Sequence, residues 1–551
     1  MKLPLALSLA LLGCSSPTPK TPTPTTEVDA VQVGTAPTPS TPPSPTGPVN
    51  GEATLFLMAD IRGVLRPCGC TVELQKGGFD RLIPYLEGER QRHPGSALLH
   101  AGPLFYEDAT PDAKKKAQRE QQALVAADLV AQTKIDLAAA TATDLFASGG
   151  TLDTLASRAK VTLTVANMTH HGKPFGPSGG QLEVKTVGGL RIGMFALASK
   201  DELPEGLDPA GIAVTDPEAA ATTAVASLKG RADVIILLSG LGLRETKRLV
   251  RKVAGIDFAL AGGMGEHPAY SDEAELVGTT RVMQFHREGR YIGRLALRIV
   301  DGKRDFVDLS AVSAGELSQL DERVKRLEAA LAELTRTRKA TDPEIASMTH
   351  HLASVKDNRD RLAARKVATP SVSSSFSFTI TPIDWDLPQD AKVAEVMKAF
   401  DDELAKINIA NAGTLPAPTP GQAVYVGTEA CFECHAETRE FWKTNEHAHA
   451  WTTLVDANKT FDTECVSCHV TGYGMAGGSL VGQTKGREAV QCEACHGPGS
   501  KHVEDTTLES IIAKPNEASC LGCHNEHHSP RFKFSSFREH LLVPGHGRPL
   551  K

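Results

Sequence analysis

Apolar residues fall into short runs over the first two thirds of the chain and thin out sharply in the last quarter. Between Thr54 and about Val312 the runs are strand-length: Thr54–Met58, Val161–Val165, Ile192–Ala196, Val234–Leu238 and Phe258–Ala261. Helical stretches such as Ala113 to Gln132 lie between them. Strands alternating with helices predict βαβ construction and an α/β domain over residues 51–312. From Glu316 to Lys366 the period changes. Leu320, Val324, Leu327, Leu331 and Leu334 form a seam among Glu, Arg and Lys, and Ile345, Met348, Leu352 and Val355 resume it after Pro343. This predicts two antiparallel helices or a short coiled coil over 313–368, as an intrachain hairpin or a dimer seam. A strand over Val372 to Trp385, a helix over Asp390 to Ile407 and a Pro-rich linker make up an extension, 369–421. Residues 422–551 are too poor in apolar side chains for an aliphatic core.

The N-terminus has a different pattern. Lys2 precedes an apolar run from Leu3 to Leu12, then Gly13-Cys14-Ser15, which describes an export signal over 1–14. Residues 15–50 are dominated by Pro, Thr and Ser and predict an extended tether. The 551 residues carry a net charge of −7, which argues against a nucleic-acid binder.

Cysteine placement changes the picture most. Of 11 cysteines, eight lie in four Cys-x-x-Cys-His motifs: Cys431/Cys434/His435, Cys465/Cys468/His469, Cys492/Cys495/His496 and Cys520/Cys523/His524. This spacing is the c-type haem attachment signature, with two thiols for the haem vinyl groups and the adjacent His for the iron. Zinc on paired cysteines is the alternative, but zinc does not call for His after every second Cys. Four covalent haems would replace the missing aliphatic core. Candidate ligands for the opposite faces are His447, His449, His502, His527, His528, His540 and His546. Export fits covalent haem. The function expected is electron transfer with a redox protein or small redox molecule as partner. An enzyme acting on a small nitrogen or sulfur species at an open haem is the rival reading.

Three resemblances sharpen these expectations. Leu11-Leu12-Gly13-Cys14 resembles the lipobox of bacterial lipoproteins, which implies lipidation of Cys14 and an anchor, expected in the outer membrane facing the periplasm; plain secretion is the alternative. Gly427–Cys431, His447–Trp451, Cys468–Tyr473, Cys492–His502 and Ser529–Phe532 are similar to the tetrahaem cytochromes whose best-known member accepts electrons from hydroxylamine oxidoreductase. That likeness implies a mainly helical domain, closely stacked haem pairs, and His447, His502 and His546 as axial ligands. In some members one iron lacks a distal ligand.

The α/β segment resembles the metallophosphatase domain of periplasmic 5′-nucleotidases in Asp60-Ile-Arg62, Val165-Ala-Asn167, Val187–Gly193, Ala232–Gly242, Ile256–Gly263 and Gly289–Leu295. It implies a four-layer α/β sandwich. Most metal ligands of that family are replaced, by Arg62, Pro103, Gly240, Met264 and Glu266, while Asp60 and Asn167 persist and His267 sits one place off. Two-metal hydrolysis needs several such ligands around ions about 3.5–4 Å apart, so hydrolase chemistry is expected to be lost. Cys68 and Cys70 follow the first strand, where a strained disulfide, a soft-metal site or a redox pair are the alternatives.

Overall fold

The computed structural model describes residues 49–67, 76–110, 115–145, 149–175, 182–203, 211–263, 273–285, 287–310, 314–337, 343–364, 373–525, 529 and 532–548. The sequence expectations on Cys14, Cys68, Cys70, Met264, Glu266, His267, His527 and His528 lie outside the described residues.

Two sheets form the α/β body. The first runs Val307–Asp308, Ser375–Pro382, Tyr291–Ile299, Gly51–Ala59, Ala97–Ala101, Leu137–Ala139, Leu163–Thr164. Its last four strands are parallel. The second runs Glu275–Val277, Thr280–Gln284, Phe258–Ala261, Val234–Gly240, Leu190–Ala198, Leu182–Val187. Alternation along Gly51–Ala59 explains the layering. Leu55 and Leu57 point between the sheets, where they meet Met194, Leu238, Leu295 and Phe378. Phe56 and Met58 point to the other face, beneath helices Phe79–Arg92, Lys116–Thr133 and Ala391–Asn411. Helices Pro217–Leu228 and Leu243–Lys252 cover the outer face of the second sheet. The result is the four-layer sandwich.

One boundary is corrected. The strand assigned by sequence to a separate extension, 369–421, lies inside the first sheet, paired antiparallel with Tyr291–Ile299 from Tyr291↔Pro382 to Arg298↔Ser375. The helix after it, Ala391–Asn411, buries Val393, Met397, Phe400 and Leu404 in the body's core. The α/β body therefore closes only after the helical hairpin has left and returned.

That hairpin consists of Ala314–Thr337 and Pro343–Ala363, with Pro343 at the start of the second helix. Val324 and Leu327 pack on Met348, Leu352 and Val355. The seam is thus filled within the chain. Arg323 clamps it to the body through Asp384 (2.9 Å) and Asp386 (2.6 Å).

Residues 425–548 form short helices around a small core of Leu454, Val466, Val470 and Val481. Val503, Leu508, Ile512, Leu521 and Phe537 are exposed there.

Candidate functional site

The carboxyl ends of the parallel strands, where ligands of α/β sheets bind, gather Asp60, Gly102, Asp144, Asn167, Gly240 and Gly263. Asp60 is buried and accepts from the Gly263 amide (2.9 Å) and from Arg62 Nη2 (3.4 Å). Arg62 also donates to the carbonyls of Gly263 (3.2 Å) and Glu107 (3.2 Å). A guanidinium therefore stands against the one acidic residue that the motif retains. Burial pushes the Asp60 carboxyl up, with Arg62 opposing. Asn167, the other persisting residue, is spent on backbone: it donates to Ala198 (2.9 Å) and Thr215 (3.1 Å) and accepts from the Ala198 amide (2.8 Å).

Two more buried groups stand here: Asp144, which the sequence places where the nucleotidase family has its Asn-His-Glu, and His100, which sequence reasoning passed over. Asp144 accepts from the amides of Leu104 (2.8 Å), Phe105 (2.7 Å) and Tyr106 (3.1 Å) and from the Thr141 hydroxyl (3.0 Å). Burial nevertheless pushes it up to about 6. His100 takes the Ile61 amide on Nε2 (3.3 Å), and burial, with Arg62 beside it, lowers it to about 3, so it is neutral.

In the C-terminal domain each motif begins on a helical turn. There the amide of His435 bonds the Cys431 carbonyl (2.9 Å), and that of His524 the Cys520 carbonyl (2.9 Å). The turn places both thiols of a motif on one side with the histidine beside them. The eight thiols are free. Among the described residues, no cysteine belongs to a group of three or more metal-ligating side chains within 4.8 Å; the one such group is His351, Asp384 and Asp386, where Arg323 sits.

Cys434 is set apart from the other attachment thiols. It is exposed, whereas the other seven are half-buried. The cause is local. The helix Thr428–Phe432 ends before it, so Phe432 turns into the protein and Glu433, Cys434 and His435 face outward. Cys434 keeps its register through its amide, which bonds the Cys431 carbonyl (3.3 Å). The protein therefore shelters only one of the first motif's two thiols, Cys431.

Three of the four motif histidines face a second histidine. Ring centres are 6.5 Å apart for His435 and His502, 6.0 Å for His524 and His447, and 6.1 Å for His496 and His546. A metal–imidazole bond is about 2 Å and the ring centre lies about 1 Å further, so two trans ligands on one metal put their ring centres about 6 Å apart. The nitrogens are oriented for this. Nδ1 of His496 bonds the Ile512 carbonyl (2.7 Å), that of His502 the Thr507 carbonyl (2.8 Å), that of His524 Ser529 Oγ (2.9 Å) and that of His546 the Leu541 carbonyl (2.6 Å). Each leaves Nε2 for a metal, the usual arrangement of ligating histidines. Burial also lowers His447, His496 and His524, favouring the neutral form that coordinates.

His469 is different. Its Nδ1 bonds the Ala450 carbonyl (2.5 Å), yet among the described residues no histidine ring stacks against it. His449, a sequence candidate two residues from His447, turns the wrong way: it is exposed and its Nε2 bonds the Lys443 carbonyl (2.9 Å). It faces none of the motif histidines. His540 is exposed at the end of the helix Phe534–Glu539.

The motifs come in pairs. Glu493, inside the third motif, is buried and accepts from the amides of Val426 (2.9 Å), Gly427 (2.7 Å) and Gly499 (2.7 Å). It draws the first motif to the third, so that the Cys431 and Cys492 thiols touch. The Cys468 and Cys523 thiols touch likewise, pairing the second motif with the fourth. The donor set, the ring spacing and the exposed apolar side chains around it all fit bound haem.

A C-terminal c-type cytochrome domain joined to an α/β sandwich is what these features define. Residues 430–497 match the family profile "Cytochrome c554 and c-prime". The C-terminal region is 33% identical over 109 residues to cytochrome c-554 of Nitrosomonas europaea, covering 16% of this chain and 46% of that protein. The chain thus spans about half the length of that curated relative. Among solved structures the chain is similar to a 5′-nucleotidase precursor from Thermus thermophilus (TM-score 0.43, 15% identity, 68% of this chain and 61% of that one). It is also similar to the NAD nucleotidase of Haemophilus influenzae (TM-score 0.44, 16% identity, 68% and 64%).

Proposed function

We propose that this protein is an exported electron-transfer protein carrying four covalent haems, anchored through lipidated Cys14 to the outer membrane and facing the periplasm. The observation that carries this reading is the set of three histidine pairs at 6.0–6.5 Å, each with one member from a Cys-x-x-Cys-His motif. Bound haem supplies one-electron chemistry at iron. The chain's part is to hold each attachment turn, fix the imidazole tautomers through Nδ1, and bring the motifs together in pairs. His435/His502, His524/His447 and His496/His546 would each hold one iron from both sides. His469 would hold the fourth from one side. Among the described residues no histidine stands across from His469, and that favours the second reading, in which a small nitrogen or sulfur species meets the open face.

In the α/β body, the Arg62 guanidinium against Asp60 and the full use of Asn167 by backbone support loss of two-metal hydrolysis. The body then serves as a binding or partner-docking element, with Cys68 and Cys70 as a candidate redox pair. The test of the haem reading is a pyridine haemochrome assay with EPR of the purified holoprotein. Four c-type haems per chain, three low-spin and one high-spin, are expected. Fewer than four haems would overturn the count, and four low-spin irons would overturn the open face.

A further inference from the structure

We propose that Gln118 and Arg119, neighbours on a helix of the α/β body, are positioning residues for the haem held by Cys465, Cys468 and His469, so that the body sets the redox behaviour of that haem more than of any other. The inference rests on the haem reading above.

Gln118 is only 2% exposed, yet its amide is fully engaged across the junction between the two domains. Its Oε1 accepts from the Thr463 amide (3.2 Å), the Thr463 hydroxyl (2.6 Å) and Asn408 Nδ2 (2.8 Å). Its Nε2 donates to Asp462 Oδ1 (2.8 Å). Asp462 is the N-cap of the helix Thr463–His469, which carries the whole second motif. A buried side chain of the α/β body therefore grips the first turn of a haem-binding helix at both the capping residue and the one after it. Losing it would strand the Thr463 amide and hydroxyl without a partner in a dry site, which is costly.

Charge reinforces the grip. Glu464, directly before Cys465, lies against Lys115 (3.0 Å) and Arg119 (3.5 Å) of the body. Arg119 also pairs with Glu107 (2.6 Å), whose carbonyl takes Arg62 beside Asp60. On the other flank Lys459 bridges Asp462 (3.1 Å) and Asp401 (3.2 Å), and Asp401 pairs with Arg66 (2.6 Å). The groups facing this motif are thus Asp462, Glu464 and Lys459 from its own domain, and Lys115, Arg119, Glu107, Arg66 and Asp401 from the body. The first and third motifs, by contrast, are drawn together inside the cytochrome domain by Glu493. Reduction adds one electron to iron and no covalent bond changes. A nearby positive charge favours the reduced form, so removing Arg119 shifts its haem toward the oxidised one.

The experiment is an EPR-monitored potentiometric titration of the full-length holoprotein, comparing wild type with Arg119→Gln, Arg119→Lys, Gln118→Leu and the remote surface control Arg158→Gln. In Arg119→Gln the high-spin haem should be about threefold more oxidised at a fixed potential, the scale of a solvent-screened charge pair. The three low-spin haems should move less, those of the first and third motifs not at all, and Arg119→Lys should restore the wild-type value. Gln118→Leu should split or broaden the high-spin signal with four haems retained; if it does not fold, the arginine pair still decides. No movement in Arg119→Gln, or equal movement of all four haems, overturns the inference. A wild type without high-spin iron overturns the open-face reading alone, and the inference is then judged on whether one potential moves more than the others.

Discussion

His447 and His449 sit two residues apart on one short helix, and they face opposite ways. A helix turns about 100° per residue, so positions i and i+2 look in nearly opposite directions. His447 meets His524, whereas His449 hands its Nε2 to the Lys443 carbonyl. The consequence is a sharp contrast in variants. His447→Ala, His502→Ala and His546→Ala should each convert one low-spin haem to high-spin, read by EPR, while His449→Ala should leave the spectrum unchanged. A spectral change in His449→Ala equal to that in His447→Ala would reverse the assignment. The four Cys-x-x-Cys-His motifs were legible in the sequence, because that signature is local. The exposure of Cys434 was not, because it depends on where the helix Thr428–Phe432 stops. From the residues alone seven histidines compete for the opposite faces; the family resemblance singled out His447, His502 and His546, and those are the three that the folded loops set against motif histidines. At the same scale, Asp144 has a pH signature. Its carboxyl is raised to about 6 by burial, so its contribution to stability is fully present below the ordinary carboxylate range and is lost as pH rises through about 6. A rise of that size corresponds to about 3 kcal/mol at most. Thermal unfolding of Asp144→Asn should lack that part of the wild-type decline between about pH 4 and 7; parallel pH profiles for the two proteins would count against it.

Elements were legible where their period was clear and opaque where their neighbours lay far along the chain. The runs at Val234 and Phe258 became the strands Val234–Gly240 and Phe258–Ala261, and the heptad-like spacing became the hairpin. The strand Ser375–Pro382 was also readable from alternating Phe376, Phe378 and Ile380, but its place was not. It pairs with Tyr291–Ile299, and the hairpin intervenes in sequence. Gln118 left only a faint trace, a polar residue continuing the buried stripe of Ala126, Leu129 and Thr133. The hairpin itself makes a prediction. Leu327 and Leu352 are buried against each other's helix, 4% and 8% exposed. Leu352→Ala should destabilise the hairpin by about 2–4 kcal/mol, read as faster amide exchange confined to 314–363. Sedimentation should give the same mass for variant and wild type. A wild-type dimer that Leu352→Ala dissociates would move the seam from within the chain to between chains.

At the scale of the whole molecule, an α/β body whose Asp60 is paired with the chain's own arginine is bonded to a cytochrome domain through a buried glutamine and a ring of ion pairs. The position beside Asp60 is held by a cation of the chain's own, since Arg62 pairs with Asp60 and bonds the carbonyls of Gly263 and Glu107. A divalent ion would have to displace that guanidinium from Asp60, and Coulomb repulsion between the two cations opposes it. The full-length protein assayed with nucleotide and manganese or zinc should therefore show no metal-dependent hydrolysis above the level of an Asp60→Ala variant. Its haems should meanwhile still reduce and reoxidise. If hydrolysis rises with added metal, and Asp60→Ala abolishes it, the arginine is not the barrier that its geometry implies and the body is a working phosphoesterase. If hydrolysis is absent in wild type but appears in Arg62→His, the guanidinium alone was excluding the metal. Absence in both means that the remaining ligands are too few, which is the outcome expected from Asn167 being spent on the backbone of Ala198 and Thr215.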